Sequence, residues 1–171
     1  MSEPRLSHLD DHAIARMVDV SAKAESERVA VAEGRVRCDA ATLRLVETGL
    51  AAKGDVLGVA RVAGVLAAKR TAELIPLCHP LPLTHVDVDL VCDASLPGVR
   101  IRATARTVGR TGVEMEALTA VAVAGLTVID MIKSTDRWAA LEGVGMVAKQ
   151  GGRSGSVARP PERDLERPAG D

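Results

Sequence analysis

Two stretches of strict alternation lie back to back in the middle of this chain, and they limit what it can become. In "THVDVDLVCD", residues 84–93, Val86, Val88, Leu90 and Cys92 fall on one side while His85, Asp87 and Asp89 fall on the other. After the turn "ASLPG", "VRIRATART" alternates again, with Val99, Ile101 and Ala103 on the apolar side. Period-two alternation on both arms of a short turn specifies an antiparallel hairpin with one buried and one solvated face. A slip of one residue would turn every apolar side chain outward, so the pattern also fixes the register. On the wet face the acids of the first arm can oppose Arg100 and Arg102 of the second, as ordinary surface charges do.

Such a hairpin needs a cover, and the next segment supplies one. "TGVEMEALTAVAVAGLTVIDMIK", residues 111–133, is almost wholly apolar from Ala117 to Ile132. At about 100° per residue its polar members Glu116, Thr119, Thr127, Asp130 and Lys133 gather within an arc of about 120° on a helix that is greasy elsewhere. A solvent-facing stripe is one reading. A pocket wall is the other, favoured because the stripe carries small groups where a surface helix would carry several Lys and Glu. Asp130 and Lys133, at i and i+3, are close enough to pair. Glu114 closes a Thr-Gly-Val-Glu capping box, in which its carboxylate would reach back to an N-terminal amide. Glu116, further in and on the stripe, is the better site candidate. Glu116 and Asp130 lie 14 positions apart, roughly 21 Å along a continuous helix. Either the ligand is long, or the site combines helix ends from two subunits.

The rest of the chain completes an α+β pattern. "RVAVAEGRVRC", residues 28–38, reads as a strand, and Asp39 caps a short helix that ends near Gly49. Asp55 caps a longer helix on which Val59, Val62, Ala63, Leu66, Arg70 and Leu74 recur at helical spacing, before Pro76 stops it. "VGMVAK" reads as a last short strand. The order β-α-α-β-β-α-β implies a ferredoxin-like sandwich, with helices packed on one face of an antiparallel sheet. The polar N-terminal residues 1–16 and the Gly-, Pro- and charge-rich tail 158–171 read as flexible flanks of a single domain, residues 17–157.

Composition narrows the function classes. The chain has 171 residues, 47% hydrophobic, with a formal net charge of −1, no Phe or Tyr and one Trp. Neutral charge and missing aromatics argue against nucleic acid as a partner. Cys38, Cys78 and Cys92 lack metal or redox spacing and are odd in number, which fits a reducing compartment. No signal-like run or uninterrupted membrane span is present, so the expectation is a cytoplasmic protein without membrane association.

Three further stretches carry chemistry. "KRTAELIPLCHPLPL" presents Cys78 and His79 on a loop stiffened by Pro76, Pro80 and Pro82, as a binding or catalytic histidine requires. The spacing to His85 fits no zinc site, and no metal is expected. "AAKGDVLG" puts Lys53 just before a helix N-terminus, a candidate anion site. "AKQGGRSG" sets Lys149 and Arg153 around a glycine pair whose backbone could wrap a phosphate. No Walker or dinucleotide glycine motif accompanies them.

Taken in order, "MVDVSAK" (17–23), "KGDV" (53–56), "AAKRTAELIPLCHPL" (67–81), "GRTGVEMEALTAV" (109–121), "DMIK" (130–133) and "KQGGRSG" (149–155) closely resemble the MoaC-type family of molybdenum cofactor biosynthesis, over residues 8–157. The resemblance implies a hexamer, a trimer of dimers, with active sites between subunits. It implies a lyase that rearranges 3′,8-cyclo-7,8-dihydro-GTP to cyclic pyranopterin monophosphate and releases pyrophosphate without any cofactor. Carried over residue by residue, it makes Asp130, Lys133 and Lys53 catalytic. Leu77, Cys78 and His79 become one substrate-binding segment, Met115 and Glu116 a second, and Glu114 and Lys149 further site positions. Ile129 and Ile132 depart from the family, which has an aromatic and a cysteine there. The stretch Thr135 to Gly143 also departs from it. The competing reading is a non-catalytic module that binds a phosphorylated purine or pterin metabolite.

Overall fold

The computed structural model describes residues 15–95 and 97–160, so the expected flexible flanks lie almost entirely outside the described residues. Among the described residues five strands and four helices follow in the order β1 (Ser26–Arg37), α1 (Ala40–Glu47), α2 (Val56–Lys69), α3 (Thr71–Leu74), β2 (His85–Asp93), β3 (Gly98–Gly109), α4 (Glu114–Ile132), β4 (Ala140–Gln150) and β5 (Val157–Ala158). The sheet order is β2-β3-β1-β4-β5 with every pairing antiparallel. β3 thus separates β1 from β2, and β1 separates β3 from β4. Each of these split pairs is crossed by helices on the same face, which is the ferredoxin-like arrangement.

The hairpin forms in the register the alternation demands, from His85 opposite Arg106 to Asp93 opposite Gly98. Val88, Leu90, Val99, Ile101, Ala103 and Ala105 are buried beneath the helices. On the wet face Asp89 stands opposite Arg102, but Arg102 pairs instead with Glu33 of β1, its other neighbour. Arg100 turns to Asp93 at 3.1 Å.

Both predicted caps are made: Asp39 accepts from the Thr42 amide at 2.7 Å and Asp55 from the Gly58 amide at 2.8 Å. α4 is long and apolar enough to cross a membrane by length and composition, yet more than half of that stretch is buried inside this fold. It packs on the sheet and on α2 through Ala117, Ala120, Val121, Ala124 and Val128, none of which is exposed. Small side chains let the two helices approach closely. A Cβ on Gly64 of α2 would lie 3.0 Å from the Ala120 carbonyl, tighter than most packed side chains come, so the helices would have to move apart slightly.

Two expectations are revised. The face of α2 that meets α4 is Val56, Ala60, Gly64, Ala67 and Ala68, whereas Val59, Val62 and Leu66 are 48%, 59% and 54% exposed. Leu74 belongs to the separate turn of α3. The last long strand starts well before "VGMVAK": Arg35, Val36 and Arg37 pair with Glu142, Leu141 and Ala140. Glu142 accepts hydrogen bonds from Arg35 and Arg37, which holds the extension in place. Just before it, Asp136 accepts from the amides of Asp39 and Trp138, and the Trp138 side chain stands 82% exposed.

Candidate active site

The predicted site residues fall at the two ends of α4. At its C-terminal end Lys53 reaches in from the turn preceding α2. Its Nζ donates to Asp130 Oδ2 at 2.6 Å and to the Asp130 carbonyl at 2.9 Å. That carbonyl is among those the last helical turn leaves without an internal partner, so Lys53 also serves the helix terminus. Lys133 Nζ lies 2.7 Å from Asp130 Oδ1. The carboxylate is therefore gripped on both oxygens, and hydrogen bonds from Lys133 and then Lys53 hold its pKa down at about 2. Two ammonium groups to one carboxylate leave a positive excess on an exposed surface. The anion site expected at the start of α2 is not organised that way, because the ammonium is drawn to Asp130 and Asp55 occupies the cap.

The N-terminal end is built differently. Val113 is the N-cap and no side chain caps the helix, so the expected capping box does not form. Glu114 is the first helical residue; its carboxylate lies against Gly112 and accepts from Lys149 Nζ at 3.1 Å. Two residues on, Glu116 is 4% exposed, and among the described residues no other side chain pairs with it. Burial, helped by the charge of Glu114, pushes its pKa up to about 6. The Pro-stiffened loop lies beside it: burial and the Glu116 charge both push the Cys78 thiol up. Leu77, Cys78, His79 and Met115 are all half-buried. His79 Nε2 donates to the Val18 carbonyl at 2.9 Å, tying the loop to the N-terminal segment.

Val18 also lines a cleft of about 1030 Å³, at the upper end of what small-molecule sites occupy. Lys23, Arg28, Arg110, Lys149 and Arg153 line it with Glu114 and the Gly151–Gly152 turn. Gly152 sits at φ 73°, and the Arg28 guanidinium fills the space a Cβ would take. Arg28 Nε in turn donates to the Gly109 carbonyl at 3.2 Å, so one arginine fastens the ends of β1 and β3 to the glycine turn. Such a basin, rich in cations and backbone amides, is suited to a polyanion. Lys23, Arg28 and Arg110 were not singled out from the sequence. They are scattered basics, and only the fold brings them to one wall.

The model of the MoaC family matches residues 17–152. The chain belongs to the MoaC family. Among curated relatives, a Jannaschia protein named cyclic pyranopterin monophosphate synthase is 58% identical over 156 residues, covering 91% of this chain and 96% of its own. Proteins of the same name from Thermomicrobium roseum and Dinoroseobacter shibae are 60% and 57% identical, over 90% and 88% of this chain and 93% and 95% of theirs. Within this MoaC chain, Lys53, Asp130 and Lys133 form one cluster. Glu114, Met115, Glu116, Lys149, Leu77, Cys78 and His79 gather at the other end. The continuous helix between Glu114 and Ile132 keeps the two groups apart by roughly 21 Å within a chain.

Proposed function

We propose that this chain is a cyclic pyranopterin monophosphate synthase of molybdenum cofactor biosynthesis. It would convert 3′,8-cyclo-7,8-dihydro-GTP to cyclic pyranopterin monophosphate and pyrophosphate, with residues 17–157 as the catalytic unit, in the cytoplasm. The observation that carries the reading is the Lys53–Asp130–Lys133 cluster in a chain of this family. The reaction opens the imidazole ring of the purine, which moves protons on and off nitrogen and carbon. It also closes a cyclic phosphate at the α-phosphorus, which expels pyrophosphate. There is no net redox change, so neither a flavin nor a nicotinamide is called for.

The geometry supports a division of roles. Asp130, with its pKa near 2, is a carboxylate at neutral pH; it orients Lys53 and Lys133, whose ammonium groups are the proton carriers and charge stabilisers. The other half-site binds. The cleft cations with Lys149 and His79 take the phosphates, and Glu114, Met115, Glu116, Leu77 and Cys78 take the rest of the substrate. Because one chain holds these halves at opposite ends of a rigid helix, we propose that the working site closes between two copies, in a hexamer built as a trimer of dimers. No metal enters the reading.

Incubation of the purified protein with 3′,8-cyclo-7,8-dihydro-GTP, followed by assay of pyrophosphate and of the oxidised, fluorescent pterin, tests the activity. Wild type should form both products, and Asp130→Asn and Lys133→Ala should form little of either. Tight binding without turnover by wild type would replace the synthase with a metabolite-binding module.

A further inference from the structure

The inward row of β3 is apolar from Val99 through Ile101 and Ala103 to Ala105, all buried. The next member of that row is a hydroxyl, Thr107, 0% exposed. Burying a hydroxyl costs stability unless it is hydrogen-bonded, and valine would fill the same space without that cost. Thr107 is matched to a partner outside the sheet: its Oγ1 donates to the Pro82 carbonyl at 2.7 Å.

Pro82 lies on the segment that leads from the candidate binding loop into β2. The bonding between this segment and β3 ends where the amide and the hydroxyl of Thr84 both donate to the Arg106 carbonyl, at 2.9 and 3.1 Å. Upstream of Thr84 the chain passes to the helix-covered side of the sheet, where Leu81 and Leu83 pack against the core. Apolar packing is non-directional, so it holds the segment without fixing its exact height or rotation. Pro76, Pro80 and Pro82 remove three amide donors from the loop. A directional bond here can instead run from a sheet donor to a loop carbonyl, and Thr107 supplies it.

We infer that Thr107 is a positioning residue for substrate binding: through Pro82 its hydroxyl sets where His79 and Cys78 stand. The inference rests on the reading of Leu77, Cys78 and His79 as a binding segment. The stretch from His79 to Pro82 transmits position because it is stiff. Pro80 and Pro82 fix their own φ, and each keeps the residue before it out of the helical region. At its far end the stretch is tied again, by His79 Nε2 to the Val18 carbonyl. The same end of β3 also serves the cleft. Thr107 stands opposite Arg28 in the register, and Arg28 donates to the Gly109 carbonyl. Three residues of one strand thus set the binding loop and a cleft cation relative to each other.

Thr107→Val keeps the shape and removes the hydroxyl, whereas Thr107→Ser keeps the hydroxyl. With 3′,8-cyclo-7,8-dihydro-GTP, Thr107→Val should raise KM by about three- to tenfold, the equivalent of one hydrogen bond, and leave kcat within about twofold. Thr107→Ser should restore KM to within about twofold of wild type. Hydrogen exchange read by mass spectrometry, which needs no substrate, should quicken over residues 75–84 in Thr107→Val and stay unchanged in β1 and α4. An unchanged KM in Thr107→Val, an equal rise in Thr107→Ser, or faster exchange across the whole sheet overturns the inference. If wild type forms no pyrophosphate, the synthase reading fails, and calorimetric Kd values for the same nucleotide decide the role of Thr107. Weaker binding in Thr107→Val alone upholds it, and equal binding in all three proteins overturns it.

Discussion

The two ends of α4 hold carboxylates in opposite conditions. Asp130 is exposed, grips an ammonium on each oxygen and has its pKa driven to about 2. Glu116 is buried, without a side-chain partner among the described residues, and rises to about 6. Since the same helix carries both, backbone and propensity cannot explain the difference; only what surrounds each group can. Lysines brought from α2 and from the last turn fix the charge at one end. At the other, burial beside the Cys78 loop leaves a carboxyl without a charged partner among the described residues. The chemistry is thereby separated into an end with permanent charge and an end whose charge can change.

The largest test of that separation removes the permanent charge. Lys53→Ala and Asp130→Asn should each lower kcat by about 10²–10⁴-fold, the range for losing a positioned acid–base group. Thermal unfolding should barely move, because the cluster is exposed. A fall in Tm that accounts for the lost activity would make the trio a structural clasp.

Coexpression of Asp130→Asn with Glu116→Ala asks whether the two ends belong to one site across chains. Random pairing of two copies should restore about a quarter of the sites, since half the pairs are mixed and each mixed pair has one intact site. Recovery no greater than the sum of the separate variants would mean that both ends act within a chain.

Glu116→Gln probes the switchable end. The folded pKa of Glu116 lies above its ordinary value of 4.5, so the folded state keeps a proton that the unfolded state releases. Its burial therefore costs nothing at low pH and destabilises progressively as pH rises through about 4.5 to 6. Urea unfolding at pH 8 should find Glu116→Gln on the order of 2 kcal/mol more stable than wild type, a gap that closes by pH 4. Any acidic limb of the rate profile near pH 6 should vanish in this variant. Asp130 cannot supply that limb, because its charge is lost only as pH falls towards about 2. A limb that persists in Glu116→Gln would assign the titration elsewhere.

The smallest effect should come from Lys149→Ala. Its pair with Glu114 is about one-third exposed on both sides, so stability should change by less than about 1 kcal/mol. KM for the polyanionic substrate should rise, most at low salt. An unchanged KM would remove Lys149 from the binding end.

Much of this was legible in the sequence where a local pattern has a single structural meaning. The alternation from Val86 to Cys92 could only be a one-sided strand, and Asp39 and Asp55 could hardly be anything but caps. Where a pattern names a partner it cannot see, the reading stopped short. The spacing of Val59, Val62 and Leu66 marks a helix without saying which face meets the core. The stretch from Ala140 to Gly143 hides its pairing because Glu-Gly-Val-Gly breaks the alternation. Glu114 satisfied a capping motif by position, yet its carboxylate goes to a lysine 35 residues away. Lys53 and Asp130, 77 residues apart, came together only through the family resemblance. Lys23, Arg28 and Arg110 converge only in three dimensions.

Trp138 gives the protein an unusual optical economy. With no tyrosine in the chain, near-ultraviolet absorbance and fluorescence come from one indole, now facing water and standing five residues beyond Lys133. Whatever covers it, ligand or neighbouring copy, should shift its emission to the blue. The native chain thus carries its own single-site dye near the C-terminal end of α4, needing no label to follow binding or assembly in real time.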